Sequence, residues 1–250
     1  MTDDRYIRQE IFEPIGKEGQ EKLGRSSVAV VGCGALGTVE AELLVRAGVG
    51  TVKIIDRDTT ELSNLARQTL FTEADLKSGD SKAAIAAKAL TRINSKVSVE
   101  GIVGEVNLRT ISKYCTDVDV LIDGTDNPET RFILNEFAVG EGIPWIYAGI
   151  VGSEGMVMPV LPGETGCLAC VFETAPGECN LPTCRTVGVV AAAAWTVASI
   201  AVGEALKLLT GNRQDIRRGL LRIDLWRNRY DSFDIGSTPR PDCPVCGKKV

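Results

Sequence analysis

The sequence predicts an α/β fold: a Rossmann-like, doubly wound, mostly parallel sheet with an antiparallel C-terminal extension. Three observations carry this reading. A β-rich run, Ser27 to Val31, ends directly in a glycine loop that opens a helical segment. Strand-like and helix-like patterns then alternate as far as Gly149, as a parallel sheet requires. Beyond Gly149, strand-like runs occur with no helix between partners, which suits antiparallel pairing.

The elements follow in order along one domain spanning 1–250. Residues 1–25 are polar with scattered apolar positions and read as an N-terminal helical arm. The nucleotide-binding core, 26–150, begins with the strand at Ser27 to Val31. Residues 38 to 48 are helical, with Val39, Leu43, Leu44 and Ala47 on one face and Gly48 and Gly50 ending the helix. Val52 to Ile55 is the second strand, closed by Asp56. Lys82 to Ile93 reads as a helix and Val97 to Val106 as a strand region. A short helix covers Ile111 to Tyr114, and a buried strand covers Val118 to Ile122. Thr130 to Gly140 is a helix and Pro144 to Ala148 a strand. The extension, 151–250, contributes strands at Gly155 to Leu161 and Leu220 to Asp234. Residues 162–185 are rich in Pro, Gly and Cys and read as a long functional loop. The Ala-rich stretch from Val187 to Gly203 is too short and small-sided for a membrane span, and reads as a buried helix at a subunit interface.

Composition excludes several function classes. The 250 residues carry 28 basic and 33 acidic side chains, a net charge of −5, which gives no basic excess to collect phosphates of nucleic acid. The chain contains no histidine. Ser-His-Asp and Cys-His catalysis, histidine general bases and histidine metal ligands are therefore excluded. The start lacks an apolar signal core, so a cytoplasmic setting is expected, with no membrane partner.

The loop Gly32-x-Gly34-x-x-Gly37 has the strand-before, helix-after context that phosphate binding needs. Glycines allow a tight turn and close phosphate approach, and the helix N-terminus adds partial positive charge. Asp56 stands about 20 residues further on, at the end of the next strand, where an acid bonds a ribose hydroxyl. An NAD-dependent oxidoreductase is the default for such a set. The residues after Asp56 point instead to a triphosphate. Asp58, Asn64, Arg67 and Gln68 follow, then Lys82 at the next helix start, and guanidinium and ammonium groups suit the heavier charge.

The eight cysteines sit at 33, 115, 167, 170, 179, 184, 243 and 246. In a cytoplasmic chain they point to metal or catalysis before disulfides. Two CxxC pairs, Cys167/Cys170 and Cys243/Cys246, supply four thiolates for a closed, structural tetrahedral zinc site. The wide gap between the pairs leaves an Fe–S cluster or four unligated thiols as alternatives. Cys184 stands beside Arg185 just before the Ala-rich helix, a setting that lowers a thiol pKa; the alternative is an ordinary helix-entry residue. Cys33 and Cys115 read as packing residues.

The ordered set of motifs resembles the MoeB/ThiF/HesA family. The matching residues are Arg5-Tyr6-x-Arg8-Gln9, Gly32-x-Gly34-x-x-Gly37, Asp56-x-Asp58, Asn64-Leu-x-Arg67-Gln68 and Lys82. Asp123-x-Thr-Asp126-Asn127, the two CxxC pairs and Cys184-x-x-x-Gly188-Val continue the match, which covers nearly the whole chain. The resemblance implies ATP-dependent adenylation of the C-terminal glycine of a ubiquitin-like sulfur-carrier protein, ThiS-like or MoaD-like, ending in Gly-Gly. It implies Gly32, Gly34 and Gly37 at the ATP phosphates, Asp56 and Asp58 on the ribose side, and Asn64, Arg67, Gln68 and Lys82 on phosphates or ribose. It implies Asp126 on Mg²⁺, Arg8 reaching the ATP of the partner in a homodimer, and zinc on the four cysteines. Cys184 becomes a candidate for a covalent link to the carrier or for sulfur handling. The loop at 162–185 would receive the carrier tail. No rhodanese-like segment follows the second CxxC pair, so a separate persulfide protein would donate sulfur. An ATP-dependent tRNA-modifying relative of the same fold and a non-catalytic carrier-binding scaffold are the other readings. Ser81 stands where family members often have Pro before the lysine, and Ala191 to Ala194 run on where a Pro is common.

Overall fold

The computed structural model describes residues 4–172, 184–234 and 236–247. Its core is one eight-stranded sheet. The strands are β1 (Ser27–Val31), β2 (Thr51–Asp56), β3 (Ser98–Val103), β4 (Val120–Asp123), β5 (Trp145–Val151), β6 (Glu154–Val160), β7 (Leu220–Asp224) and β8 (Arg229–Phe233). They lie in the order β3-β2-β1-β4-β5-β6-β7-β8. The first five pair in parallel, and every pairing from β5 to β8 is antiparallel. The expected change of pattern after Gly149 is therefore the start of a meander. The expected strand at Leu220 to Asp234 is instead the hairpin β7–β8, broken at Leu225 to Asn228, where Asn228 has φ 54°. The expected strand region at Val97 to Val106 contracts to Ser98–Val103.

The strand order reverses between β1 and β4, which opens a crevice at the carboxyl ends of both. Helices cover the two faces. On one face α3 (Gly37–Ala47), α4 (Lys82–Ile93) and α9 (Ala191–Thr210) pack over Val28, Val30, Ile122, Ile146 and Val157. On the other, α5 (Ile111–Cys115), α6 (Pro128–Glu141) and α7 (Leu168–Val171) pack over Ala29, Val31, Leu121, Trp145 and Met158. The termini of α6 follow from its sequence. Asn127 caps it, its Oδ1 accepting from Glu129 N at 2.9 Å, Pro128 sits in its first turn, and Gly142 ends it at φ 70°.

The N-terminal arm comprises α1 (Ile7–Glu10) and α2 (Gly16–Arg25). Gln9 Nε2 donates to Ala47 O at 3.0 Å and Gln20 Oε1 at 2.6 Å, and Tyr6 packs so closely on Gly48 that a Cβ there would meet its ring. Asn94 ties this corner together, its Nδ2 donating to Tyr6 Oη at 2.8 Å and Val45 O at 2.9 Å. The arm is thus fixed to the C-terminal end of α3, one helix length from the glycine loop.

The Ala-rich helix is longer than expected and begins later. α9 runs 20 residues from Ala191 to Thr210, and a separate short helix α8 (Cys184–Val187) precedes it. Cys184 therefore opens α8, not the Ala-rich helix, because Val189 turns aside to bridge Gly152. By length and composition α9 alone among the described helices would suffice to cross a membrane. Here half of its apolar window is buried against α3, β5 and β6.

Candidate functional site at the strand crossover

The crevice is built by two loops that touch through glycine backbones. Gly32 follows β1 with φ 96°, and a Cβ there would strike the Gly124 carbonyl at the end of β4. A Cβ on Gly37 would collide with the Gly32 carbonyl, and one on Gly124 would meet Gly32 O and Gly37 Cα. These three glycines let β1, α3 and β4 converge. Gly34 differs, since its Cβ would find only Gly124 O, at 3.7 Å. Gly34 is thus the loop glycine with room for a ligand, while Gly32 and Gly37 serve the turn and helix–strand packing.

Asp56 closes one side. Its Oδ2 accepts from Cys33 N and its Oδ1 from Asp58 N, both at 2.7 Å, so the carboxylate links the glycine loop to the segment after β2. Burial raises its pKa, opposed by those two amide bonds and by Lys82. Lys82 opens α4, capped by Ser81, whose Oγ accepts from Ala84 N at 3.3 Å. The Lys82 side chain is buried, with Nζ 3.7 Å from the exposed Asp58 carboxylate. Asn64 and Gln68, joined by the bond from Gln68 N to Asn64 O, are both buried, and Gln68 Oε1 has no hydrogen-bond partner. Arg67 Nη1 donates to Ser63 O at 2.6 Å, and Arg67 O accepts from Trp195 Nε1 of α9 at 3.0 Å. Cys33 and Cys115 are buried packing residues whose thiols burial pushes up, Cys115 to about 12.

The opposite side is the loop from Asp123 to Asn127. Asp123 is fully buried and committed: Oδ1 accepts from Thr125 N and Oγ1, and Oδ2 accepts from Arg131 Nε at 2.9 Å. Arg131 Nη2 continues to Thr125 O at 2.7 Å and Ala148 O at 3.3 Å, and the guanidinium lies over the Tyr147 ring. Asp126, on the same loop, is exposed and makes no hydrogen bond among the described residues. The sequence reading missed Arg131. Its signal was a lone cation at the end of the first turn of a helix that follows a buried aspartate.

The reading also missed Glu40, a glutamate on the buried stripe of α3 with Ala41, Leu44 and Val45. Both of its carboxyl oxygens are buried without partners. Burial, reinforced by Asp123, holds its pKa well above the carboxylate range, and Arg131 opposes the rise. An acid whose folded pKa exceeds its unfolded value destabilises the fold as pH rises past about 4.3. Glu40→Leu should therefore gain about 1–3 kcal/mol at pH 8, the cost of an unpaired buried polar group, and less at pH 5. Urea unfolding at both pH values checks this; a pH-independent effect would contradict it.

The four expected metal ligands meet. Cys167, Cys170, Cys243 and Cys246 bring their sulfurs within 4.8 Å of one another. Cys167 Sγ lies 3.6 Å from Cys243 Sγ, and Cys170 Sγ 3.3 Å from Cys246 Sγ. These separations are far beyond a disulfide bond. They are close to the roughly 3.8 Å edge of a tetrahedron with Zn–S near 2.3 Å. The donor set fits a closed zinc site joining the loop after β6 to the C-terminal segment. Arg240 N already donates to Cys170 Sγ at 3.4 Å. Burial raises the Cys167 thiol, and the Asn135 side-chain amide beside it works the other way. Arg8 lies on the arm, away from its own chain's glycine loop. The side chain of Cys184 and all of 173–183, most of the expected carrier-tail loop, lie outside the described residues.

A glycine loop tied to a buried aspartate, a buried lysine beside it, an acidic loop across the crossover and four clustered cysteines on an antiparallel extension are the features of a class of doubly wound α/β proteins with a site at the strand crossover. The family model of the ThiF family matches residues 6–245, and the chain belongs to that family. It is 46% identical over 245 residues to the sulfur carrier protein ThiS adenylyltransferase of Bacillus subtilis, covering 98% of this chain and 72% of that protein. It is 37% identical over 249 residues to the sulfur carrier protein adenylyltransferase of Thermus thermophilus, covering 98% and 90%. A crystal structure of E. coli MccB with AMPCPP and MccA superposes with a TM-score of 0.84 at 25% identity, covering 98% of this chain and 75% of that one.

Proposed function

We infer that this chain is an adenylyltransferase that activates the C-terminal carboxylate of a sulfur-carrier protein with ATP. The observation that carries the reading is the crossover itself: Gly34, Asp56 and Lys82 on one side, and the exposed Asp126 on the loop across it. The relatives named as carrier adenylyltransferases support the substrate. A carboxylate oxygen bonds to the α-phosphorus, the bond from that phosphorus to the bridging oxygen breaks, and pyrophosphate leaves. The nucleophile is already ionised, so no histidine or other general base is needed.

In this reading the backbone at Gly32, Gly34 and Gly37 faces the phosphates. Asp56 and Asp58 take the ribose side, and the orphaned Gln68 Oε1 suits a hydroxyl donor there. Lys82, Arg67 and Asn64 orient and neutralise the phosphates. Asp126 fits Mg²⁺, since Asp123 is already spent on Arg131 and Asp126 is turned outward. A bound Mg²⁺ would stabilise the leaving pyrophosphate. Zinc on the four cysteines would be structural. Cys184 would take part in carrier handling.

The same reading makes the protein a homodimer. Arg8 cannot serve its own nucleotide, because Tyr6 and Gln9 anchor the arm at the far end of α3. The outer face of α9, with exposed Trp195 and half-buried Thr196, Ile200 and Gly203, is an apolar stripe fit for a second copy. Ile7, Ile11 and Phe12 add exposed apolar surface on the arm. Sulfur would come from a separate persulfide protein, and the pathway, thiamine or molybdenum cofactor, follows from the carrier. Two assays test this. Mass spectrometry of a Gly-Gly carrier incubated with enzyme and Mg-ATP should show the carrier heavier by one AMP; an unmodified carrier would contradict the reading. Arg8→Ala and Lys82→Met, each nearly inactive alone, should recover up to about a quarter of wild-type activity when mixed and re-equilibrated, since half of a random mixture is heterodimer with one intact site. No recovery would contradict action across the dimer.

A further inference from the structure

Asn135 lies on α6 and is fully buried. Half of its amide is accounted for, since Oδ1 accepts from Leu168 N at 2.8 Å and so caps the first turn of α7. The other half is not, because Nδ2 is buried with no hydrogen-bond partner. Leaving such a donor unpaired carries its full desolvation penalty. The Oδ1 bond to Leu168 N sets the amide at the first turn of α7, beside Cys167, the residue that opens it. A neutral thiol is a poor acceptor. A thiolate is a strong one, and ligands of a bound metal gain from such donors around them.

We propose that Asn135 is the outer-sphere donor of the four-cysteine site, its Nδ2–H bonding the Cys167 thiolate whenever metal is held. This rests on the reading of the cluster as a zinc site. The orphaned donor is then a group built for the loaded state. The placement has a consequence for the adenylation site. Arg131 lies one helical turn before Asn135, on the same side of α6, and holds the loop that carries Asp126. One turn of helix thus joins the metal site to the acidic rim of the crevice.

The test uses the full chain. Wild-type protein should hold one zinc per chain; absence of zinc would remove both the zinc reading and this assignment. With zinc loaded, Asn135→Leu should release it to a competing chelator at about tenfold lower chelator concentration or less. In the cobalt-substituted protein the same variant should move the sulfur-to-cobalt absorption to lower energy. Leu168→Pro is the control. It removes the N–H that Asn135 Oδ1 caps, at a first-turn position that accepts proline, and leaves Nδ2 in place. It should keep zinc affinity within about threefold and leave the absorption unmoved. Equal loss in both variants would reduce Asn135 to a helix cap, and no change in Asn135→Leu would overturn the proposal outright. A measurement on wild-type protein removes dependence on variant folding. In cadmium-113-substituted enzyme, the Asn135 side-chain N–H should show scalar coupling to the metal through the sulfur. Its absence would overturn the assignment.

Discussion

Arg131→Met is expected to destabilise the domain by about 3–5 kcal/mol, as removal of one partner of a buried ion pair does. Asp123 is fully buried and the Arg131 side chain nearly so, so the variant strands a carboxylate with only Thr125 as partner. The loss is a large share of the stability of an ordinary domain. Removing both charges separates stability from function. Asp123→Leu with Arg131→Met leaves no stranded charge and should recover most of the lost stability. It should remain defective in adenylation, because Thr125 O and Ala148 O lose the guanidinium that fixes the Asp126 loop. Urea unfolding gives the first result and carrier adenylation the second. A double variant with wild-type activity would show that Arg131 serves stability alone.

Lys82→Met should lower the rate of adenylation by about 10²–10³-fold, the usual loss when a positioned charge on the developing negative charge is removed. Its stability should change little. The carboxylate nearest Nζ is Asp58, which is exposed and can be solvated when the lysine is gone, while Asp56 keeps its two amide donors. Steady-state kinetics with thermal unfolding of the same sample check both parts. A fall in activity that merely tracks a fall in Tm would contradict a direct role for the lysine.

Much of the fold was legible because its signals are local. The β-rich run before Gly32 and the helix start at Lys82 fall on element boundaries of the structure, while α6 begins at Pro128, two residues before the expected Thr130, because Asn127 caps it there. The parallel half followed from alternation. The hairpin at β7–β8 did not, because its turn at Asn228 carries no glycine to announce it. In the candidate site, the spacing of motifs anticipated which residues meet: Asp56 against the glycine loop, Lys82 near Asp58 and the four cysteines together. The site was not legible where residues act on one another. Arg131 gains its meaning from Asp123, Thr125 and Ala148, which come together only when β4, β5 and α6 pack. Gly124 reads as a loop glycine until Gly32 and Gly37 are seen against it. Glu40 is a charge within an otherwise apolar stretch of α3, and its burial follows only once α3 packs on the sheet.

ATP–pyrophosphate exchange, measured with Mg²⁺ on the purified protein alone and then with each candidate Gly-Gly carrier, tests the central claim most directly. The account predicts exchange that depends on one carrier, which would establish activation of the carboxylate and name the pathway together. No exchange with any carrier, from folded protein, would contradict it.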